Sequence, residues 1–113
     1  MPESFERGAL TEAVFYILLS LHEPMHGYAM MQNIEKLTDG RVVLGPGTLY
    51  GAINALVQKR WIAPIESQQD ARKKEYTITE TGRLAFAAEL SRLRELLDNG
   101  ENLYKRKGMK WEP

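Results

Sequence analysis

The sequence predicts a mainly α-helical fold with one small β-hairpin, in the order helix, helix, helix, strand, strand, helix. Three observations carry that prediction. Apolar residues recur at three- and four-residue spacing over residues 9–22, 27–38 and 45–60, which builds one greasy face of a helix. The period shortens to two over residues 61–67 and 74–79, as in a pair of strands. Helical spacing then returns over residues 80–98.

A chain of 113 residues fits one main folding unit. Charged residues make up 27% and hydrophobic residues 43%, so it falls among ordinary globular chains and not among disordered ones. The apolar run over residues 13–19 is far too short to cross a bilayer. With no secretory signal in view and no cysteine, a cytoplasmic location is expected, without disulfides or thiolate metal sites. Net charge is zero, but its distribution is uneven. Residues 1–40 carry two basic and six acidic side chains, and residues 41–79 carry six and three. The positive excess therefore sits on the segment that holds the third helix and the hairpin.

Along the first helix, Leu10, Val14, Ile17, Leu18 and Leu21 form one apolar face, while Ala13, Phe15, Tyr16 and Leu19 make the other side apolar too. A helix of that kind is covered on more than one face. Pro24 ends it. His22-Glu23-Pro24-Met25-His26 matches the His-Glu-x-x-His string of zinc proteases. That chemistry needs both imidazoles on one face of an unbroken helix. Pro24 lies between them and disfavours that helix, so no metal site is assigned and His26 is read as a packing or capping residue. Met30, Met31, Ile34 and Leu37 line the second helix, which Asp39-Gly40 stops. Residues 41–44 read as extended or as a short strand.

The third helix is the distinctive element. Pro46 has a fixed φ and no amide hydrogen, which suits a first helical turn. Leu49, Ala52, Ile53 and Leu56 make its apolar face. On the opposite side Gly47, Gly51 and Ala55 recur every fourth residue, flanked by Thr48, Tyr50, Asn54, Gln58 and Lys59. No Asp or Glu occurs between residues 45 and 60. A bare, short-chained ridge without carboxylates suits close approach to a large anionic surface bearing hydrogen-bonding groups, such as the major groove of DNA.

In the hairpin, Pro64 restricts the first strand to a sheet edge, and Tyr76 reads as a core residue of the second. Trp61 is placed at the junction of helix and hairpin. The connecting loop and returning strand carry Arg72, Lys73 and Lys74, a wing able to grip backbone phosphates. Thr79 caps the last helix and Glu80 complements its dipole. Phe86, Leu90, Leu93 and Leu97 lie four, three and four residues apart, the spacing of a coiled-coil seam. Pairing with the same helix of a second chain covers that seam. Asn99-Gly100 is expected to break or kink the helix, with residues 101–107 resuming it. The resulting division is a DNA-binding unit over residues 9–79, a dimerisation helix over 80–107 and a tail over 108–113. Trp111 in that tail receives no role.

The words His26-Gly27-Tyr28 and Gly45-Pro46-Gly47-Thr48-Leu49-Tyr50, and the strand at residues 74–76 followed by Thr79-Glu80-Thr81-Gly82, closely resemble the PadR-like family of winged helix-turn-helix transcriptional regulators. The resemblance covers roughly residues 10–97, judged by these element-start signals, and looks like the smaller members with one C-terminal helix. It implies a dimeric regulator, usually a repressor, in a family where several members respond to phenolic acids or hydrophobic drugs. It also implies that Tyr28, Pro46, Gly47, Thr48 and Tyr50 lie at the DNA backbone with the wing cations beside them. The chain departs from the family pattern in carrying Gly45 and Gly51 around the central word, a wing poor in glycine and arginine, and no tryptophan in the last helix before the tail.

The expected function is thus that of a homodimeric, sequence-specific regulator bound to a palindromic operator in double-stranded DNA. Tyr28, Thr48 and Tyr50 donate hydrogen bonds to phosphates. Asn54 reads a base, with Gln58 as second choice, because a carboxamide pairs bidentately with adenine. Two other classes stand beside this one: a sensor that captures a small hydrophobic or aromatic effector at the dimer interface, lined by Phe15, Tyr16, Leu19, Leu93 and Leu97, and a winged-helix module that binds proteins. No cofactor is expected. An enzyme is not expected either, because no nucleophile–base pair, phosphate loop or metal cluster is present in the sequence.

Overall fold

Thr11 opens the first helix, α1 (Glu12–Ser20): its hydroxyl oxygen accepts from the Val14 amide at 3.1 Å, satisfying a donor that the helix itself leaves unpaired. His26 does the same for α2 (Gly27–Leu37), with Nδ1 accepting from the Ala29 amide at 3.2 Å. The third helix, α3 (Pro46–Gln58), starts on Pro46 after an extended Gly45 with no side-chain cap. These facts come from a computed structural model that describes residues 8–66 and 72–112. Before α2 lies a two-residue strand, β1 (Met25–His26); after α3 come β2 (Ile62–Glu66), β3 (Lys74–Ile78) and the long helix α4 (Glu80–Arg106).

The strands form an antiparallel sheet in the order β1-β3-β2. Pro64, opposite Tyr76, stands on the outer strand β2, where its missing amide hydrogen leaves no gap in an inner ladder. The core is filled from α1, α2, α3, β2 and β3: Ile17, Leu18 and Leu21, then Met30 and Ile34, then Leu49, Ile53 and Leu56, then Ile62 and Ile78. Each such side chain taken from water contributes about 1.5–3 kcal/mol, which is what fixes α3 with one face inward and the other free.

Two helices end in the same device. Arg60 takes a positive φ of 65°, and the Trp61 amide donates back to the Leu56 carbonyl at 3.0 Å. Asp39 takes φ 55°, and the Gly40 amide donates to Glu35 at 2.8 Å. Both are left-handed C-terminal caps that satisfy carbonyls at the end of the helix. The Arg60 carbonyl then accepts from the Thr79 hydroxyl at 2.7 Å, while that hydroxyl oxygen accepts from the Gly82 amide at 3.1 Å. One threonine therefore caps α4 and ties its start to the end of α3. Trp61 sits at this junction, half-buried, with Lys59 Nζ 4.8 Å above its ring.

The structure corrects the sequence reading in three places. A short third strand, β1, joins the hairpin through Met25–Tyr76 and His26–Glu75 pairs. Residues 41–44 form no strand: Val42 and Leu44 pack against the core, and the Val42 amide donates to the Thr38 hydroxyl at 3.0 Å. Asn99-Gly100 does not break α4, which runs unbroken for 27 residues. Glycine in a helix interior costs only about 1 kcal/mol relative to alanine, less than a long helix needs to be interrupted. By its contacts the chain divides into two compact units, Leu10–Phe86 and a second one holding residues from Ala87 onward.

Candidate nucleic-acid interface

Burial along α3 separates its two faces. Leu49, Ile53 and Leu56 are buried, whereas Pro46, Gly47, Thr48, Gly51, Asn54, Ala55 and Gln58 are exposed. Among the described residues, nothing beyond the helix's own backbone and the chain neighbours lies within 4 Å of a Cβ built on Gly45, Gly47 or Gly51, so the ridge is open along its glycines. It carries no carboxylate, and the flanking groups are the Thr48 hydroxyl, the Tyr50 phenol, the carboxamides of Asn54 and Gln58, and the Lys59 ammonium.

At the start of α3, Tyr50 leans across to α2. A Cβ on Gly27 would come 2.3 Å from its hydroxyl oxygen, so only glycine leaves room for the ring. Tyr50 remains 43% exposed and Tyr28 60% exposed. Both line one groove of about 530 Å3, together with His26, Tyr76, Arg72, Lys73 and Lys74. The fold thus brings Tyr28, Tyr50 and the three wing cations around a single concavity. Pro46, Gly47, Thr48 and Asn54 lie on the adjoining free face of α3, outside the groove lining. The wing tip, residues 68–71, lies outside the described residues.

Sequence reasoning missed two members of this groove, His26 and Tyr76. Tyr76 does pack against the core, but its ring also reaches the groove. Burial, and then the neighbouring Tyr50, hold its phenol above the ordinary value. The nearest signal in the sequence was the adjacency of His26 to Gly27 and Tyr28. One cation of the middle segment is already engaged: Arg41 forms a two-toothed ion pair with Glu12. The hydrogen bond from Arg41 holds the Glu12 carboxyl below the usual carboxylate range.

His22 and His26 play separate parts. His22 Nδ1–H donates to the Leu18 carbonyl at the end of α1, at 2.9 Å, while His26 caps α2. Among the described residues no group of three or more His, Asp or Glu is placed to hold a metal ion.

The residues assigned to the seam do not behave alike. Leu90, Leu93 and Leu97 are 40–47% exposed and border an apolar groove of about 530 Å3 with Ser91 and Arg94. Phe86 instead stacks on Phe15, with ring centroids 4.9 Å apart, and meets His22 edge-on at 5.1 Å. It packs in its own chain, because it lies within the Leu10–Phe86 unit. Phe15 and Tyr16 are likewise in edge contact at 5.4 Å. Past α4, the Met109 amide donates back to Tyr104 at 2.9 Å and Gly108 takes φ 67°. This turn brings Trp111 beside Leu96, Leu97, Gly100, Glu101 and Tyr104, around a pocket of about 280 Å3.

Three helices around one core, a paired wing and an exposed carboxylate-free third helix define a winged helix-turn-helix fold. Residues 15–88 match the family described as "Transcriptional regulator PadR-like family", and the chain belongs to that family. That family is one of transcriptional regulators. The chain is 37% identical over 73 residues to an uncharacterized 37.1 kDa protein in transposon TN4556 of Streptomyces fradiae, covering 64% of this chain but only 20% of that protein. Its fold is similar to that of YusO from Bacillus subtilis, with a TM-score of 0.71 at 22% identity over 89% of this chain and 67% of the other. It is also similar to a transcriptional regulator from Clostridium thermocellum, with a TM-score of 0.64 at 22% identity over 89% and 92%. No helix among the described residues is long and apolar enough to cross a membrane.

Proposed function

We propose that the chain is a cytoplasmic, homodimeric repressor that binds a palindromic operator in double-stranded DNA through α3 and the wing. The observation that carries this reading is the open, acid-free face of α3 beside a groove rimmed by Arg72, Lys73 and Lys74. Cations there neutralise phosphates and release counterions. Tyr28, Thr48 and Tyr50 hydrogen-bond phosphates and set register, and Asn54 reads adenine in the major groove. Residues 9–79 act as the DNA-binding unit, and residues 80–107 as the dimerisation helix through Leu90, Leu93 and Leu97.

A twofold dimer presents two such helices about one DNA turn apart. Selection of bound duplexes from a random pool tests the reading. The expected product is an inverted repeat with half-sites roughly 34 Å apart. Failure to enrich any sequence, with no binding at low salt, would remove it.

The pocket that Trp111 forms with Leu96, Leu97 and Tyr104 favours a second role alongside the first. A small hydrophobic or aromatic effector bound there would relieve repression by altering how α4 pairs. Quenching of tryptophan fluorescence by a panel of aromatic compounds, lost in Trp111→Phe, is the expected sign. Quenching that persists in Trp111→Phe places the ligand elsewhere.

A further inference from the structure

The geometry points to His26 as an uncharged phosphate-binding donor, a role that rests on the DNA-binding reading and deepens it. The Ala29 amide donates to His26 Nδ1. A ring nitrogen that accepts a hydrogen bond carries no hydrogen, so the neutral imidazole holds its proton on Nε2. Among the described residues no buried side-chain nitrogen or oxygen lacks a hydrogen-bond partner. Nδ1 makes the ring's hydrogen bond, and Nε2 has no hydrogen-bond partner among the described residues, so Nε2–H is left for solvent or a ligand. The half-buried ring lines the groove between Tyr28, Tyr50, Lys74 and Tyr76.

The helix cap therefore performs two tasks. It satisfies an amide of α2, and it selects the tautomer and holds the ring so that a donor is presented to the groove. A groove rimmed by three cations and lined by phenols and this N–H suits an anion with several acceptor oxygens. The phosphodiester of a nucleic-acid backbone has that chemistry. Because His26 contributes as a neutral donor, its contact strengthens binding without releasing a counterion. Lys73 and Lys74 differ from it in this respect.

The test uses a random-sequence duplex of about 30 base pairs, since a phosphate contact is blind to sequence. His26→Asn keeps a side-chain acceptor at the cap, where Asn is among the preferred residues, but lacks the reach of Nε2–H. Fluorescence anisotropy across a potassium chloride series should show about tenfold weaker binding, with the slope of log affinity against log salt equal to that of the wild type. Wild-type affinity in His26→Asn would overturn the role of His26 and leave the DNA-binding reading standing. A slope reduced by about one, as for loss of a lysine, would overturn it as well, because the contact would then be a charge. No binding by the wild-type protein at low salt removes both. A second measurement needs no variant: 15N NMR of the wild-type imidazole should show the Nε2–H tautomer and a shift of Nε2 when duplex is added. The opposite tautomer, or an Nε2 resonance unmoved by bound DNA, overturns the proposal.

Discussion

The ring of Tyr50 occupies the place where any other residue at position 27 would put a side chain: a Cβ on Gly27 would stand 2.3 Å from the Tyr50 hydroxyl oxygen and 2.7 Å from Cζ. This contact joins the first turn of α2 to the second turn of α3 and holds the phenol at the edge of the groove. Gly27→Ala gains up to about 1 kcal/mol in helix propensity but must push the ring aside. DNA affinity is expected to fall as it does in Tyr50→Phe. In a double-mutant cycle of stability with Tyr50→Ala, a coupling of at least about 0.5 kcal/mol is expected, as for residues in contact. Strictly additive effects would show that the ring moves freely.

Gly82 answers to a harder constraint. A Cβ there would lie 2.1 Å from the Trp61 carbonyl oxygen and 2.8 Å from Ile78 Cγ1. The nearest obstacle is backbone, fixed by the Thr79 bridge between α3 and α4. Overpacking of this kind costs about 1–3 kcal/mol and occasionally more. Gly82→Ala is expected at or above the top of that range in urea unfolding, despite alanine's better helix propensity. A loss below about 0.5 kcal/mol would mean that the junction yields, at odds with a typical overpacking cost.

The elements that sequence reading located best are those with a local chemical cause. Pro46 at a helix start and Pro64 on an edge strand each follow from a missing amide hydrogen, and Leu49, Ile53 and Leu56 from helical period. What it missed depends on partners distant in the chain. Two residues, Met25 and His26, cannot show an alternating pattern; they are a strand only because β3 offers an edge. Residues 41–44 hold three consecutive apolar residues that could suit a short strand, yet β3 is already paired on both sides and Val42 packs against the core instead. Asn99-Gly100 is a turn word in isolation but lies within a helix of 27 residues. The groove was legible as Tyr28, Tyr50 and the wing cations, whereas Tyr76 and His26 enter it through sheet register.

Phosphate contacts and base contacts separate by their salt and sequence dependence. Lys73→Ala should weaken binding to every duplex alike and flatten the log–log salt slope by about 0.9. Asn54→Ala should leave that slope intact and cost about 1–3 kcal/mol on the selected operator, with little change on random DNA. Equal losses of Asn54→Ala on both duplexes would move Asn54 from base reading to backbone support.

Tyr76 links stability to alkaline pH. Burial raises its folded pKa above the ordinary 10.0. Below that value the phenol is protonated in the folded and the unfolded chain, so its contribution is complete. As pH rises past 10.0 towards the folded pKa, the unfolded chain releases the proton first and stability falls. Tyr76→Phe keeps the ring and removes the proton. Thermal melts between about pH 9 and 11 should fall less steeply for the variant. Parallel curves would assign the alkaline loss to other groups.

The seam on α4 is proposed to begin at Leu90, because the Phe86 ring is spent on Phe15. Leu90, Leu93 and Leu97 are each partly exposed, and covering each of them in a pair contributes up to about 1.5–3 kcal/mol. A carboxylate in that seam loses this gain and faces its own symmetry mate, a repulsion that low dielectric magnifies. Leu93→Glu should therefore sediment as a monomer while the Leu10–Phe86 unit keeps its cooperative melt. Affinity for a full palindrome should fall towards that for a single half-site, since the second reading helix is no longer tethered. Leu84→Glu is the control: it is 64% exposed and, at 100° per residue, lies on the side of α4 away from Leu93. A dimer that survives Leu93→Glu, or one lost equally in Leu84→Glu, would place the contact between chains on another surface.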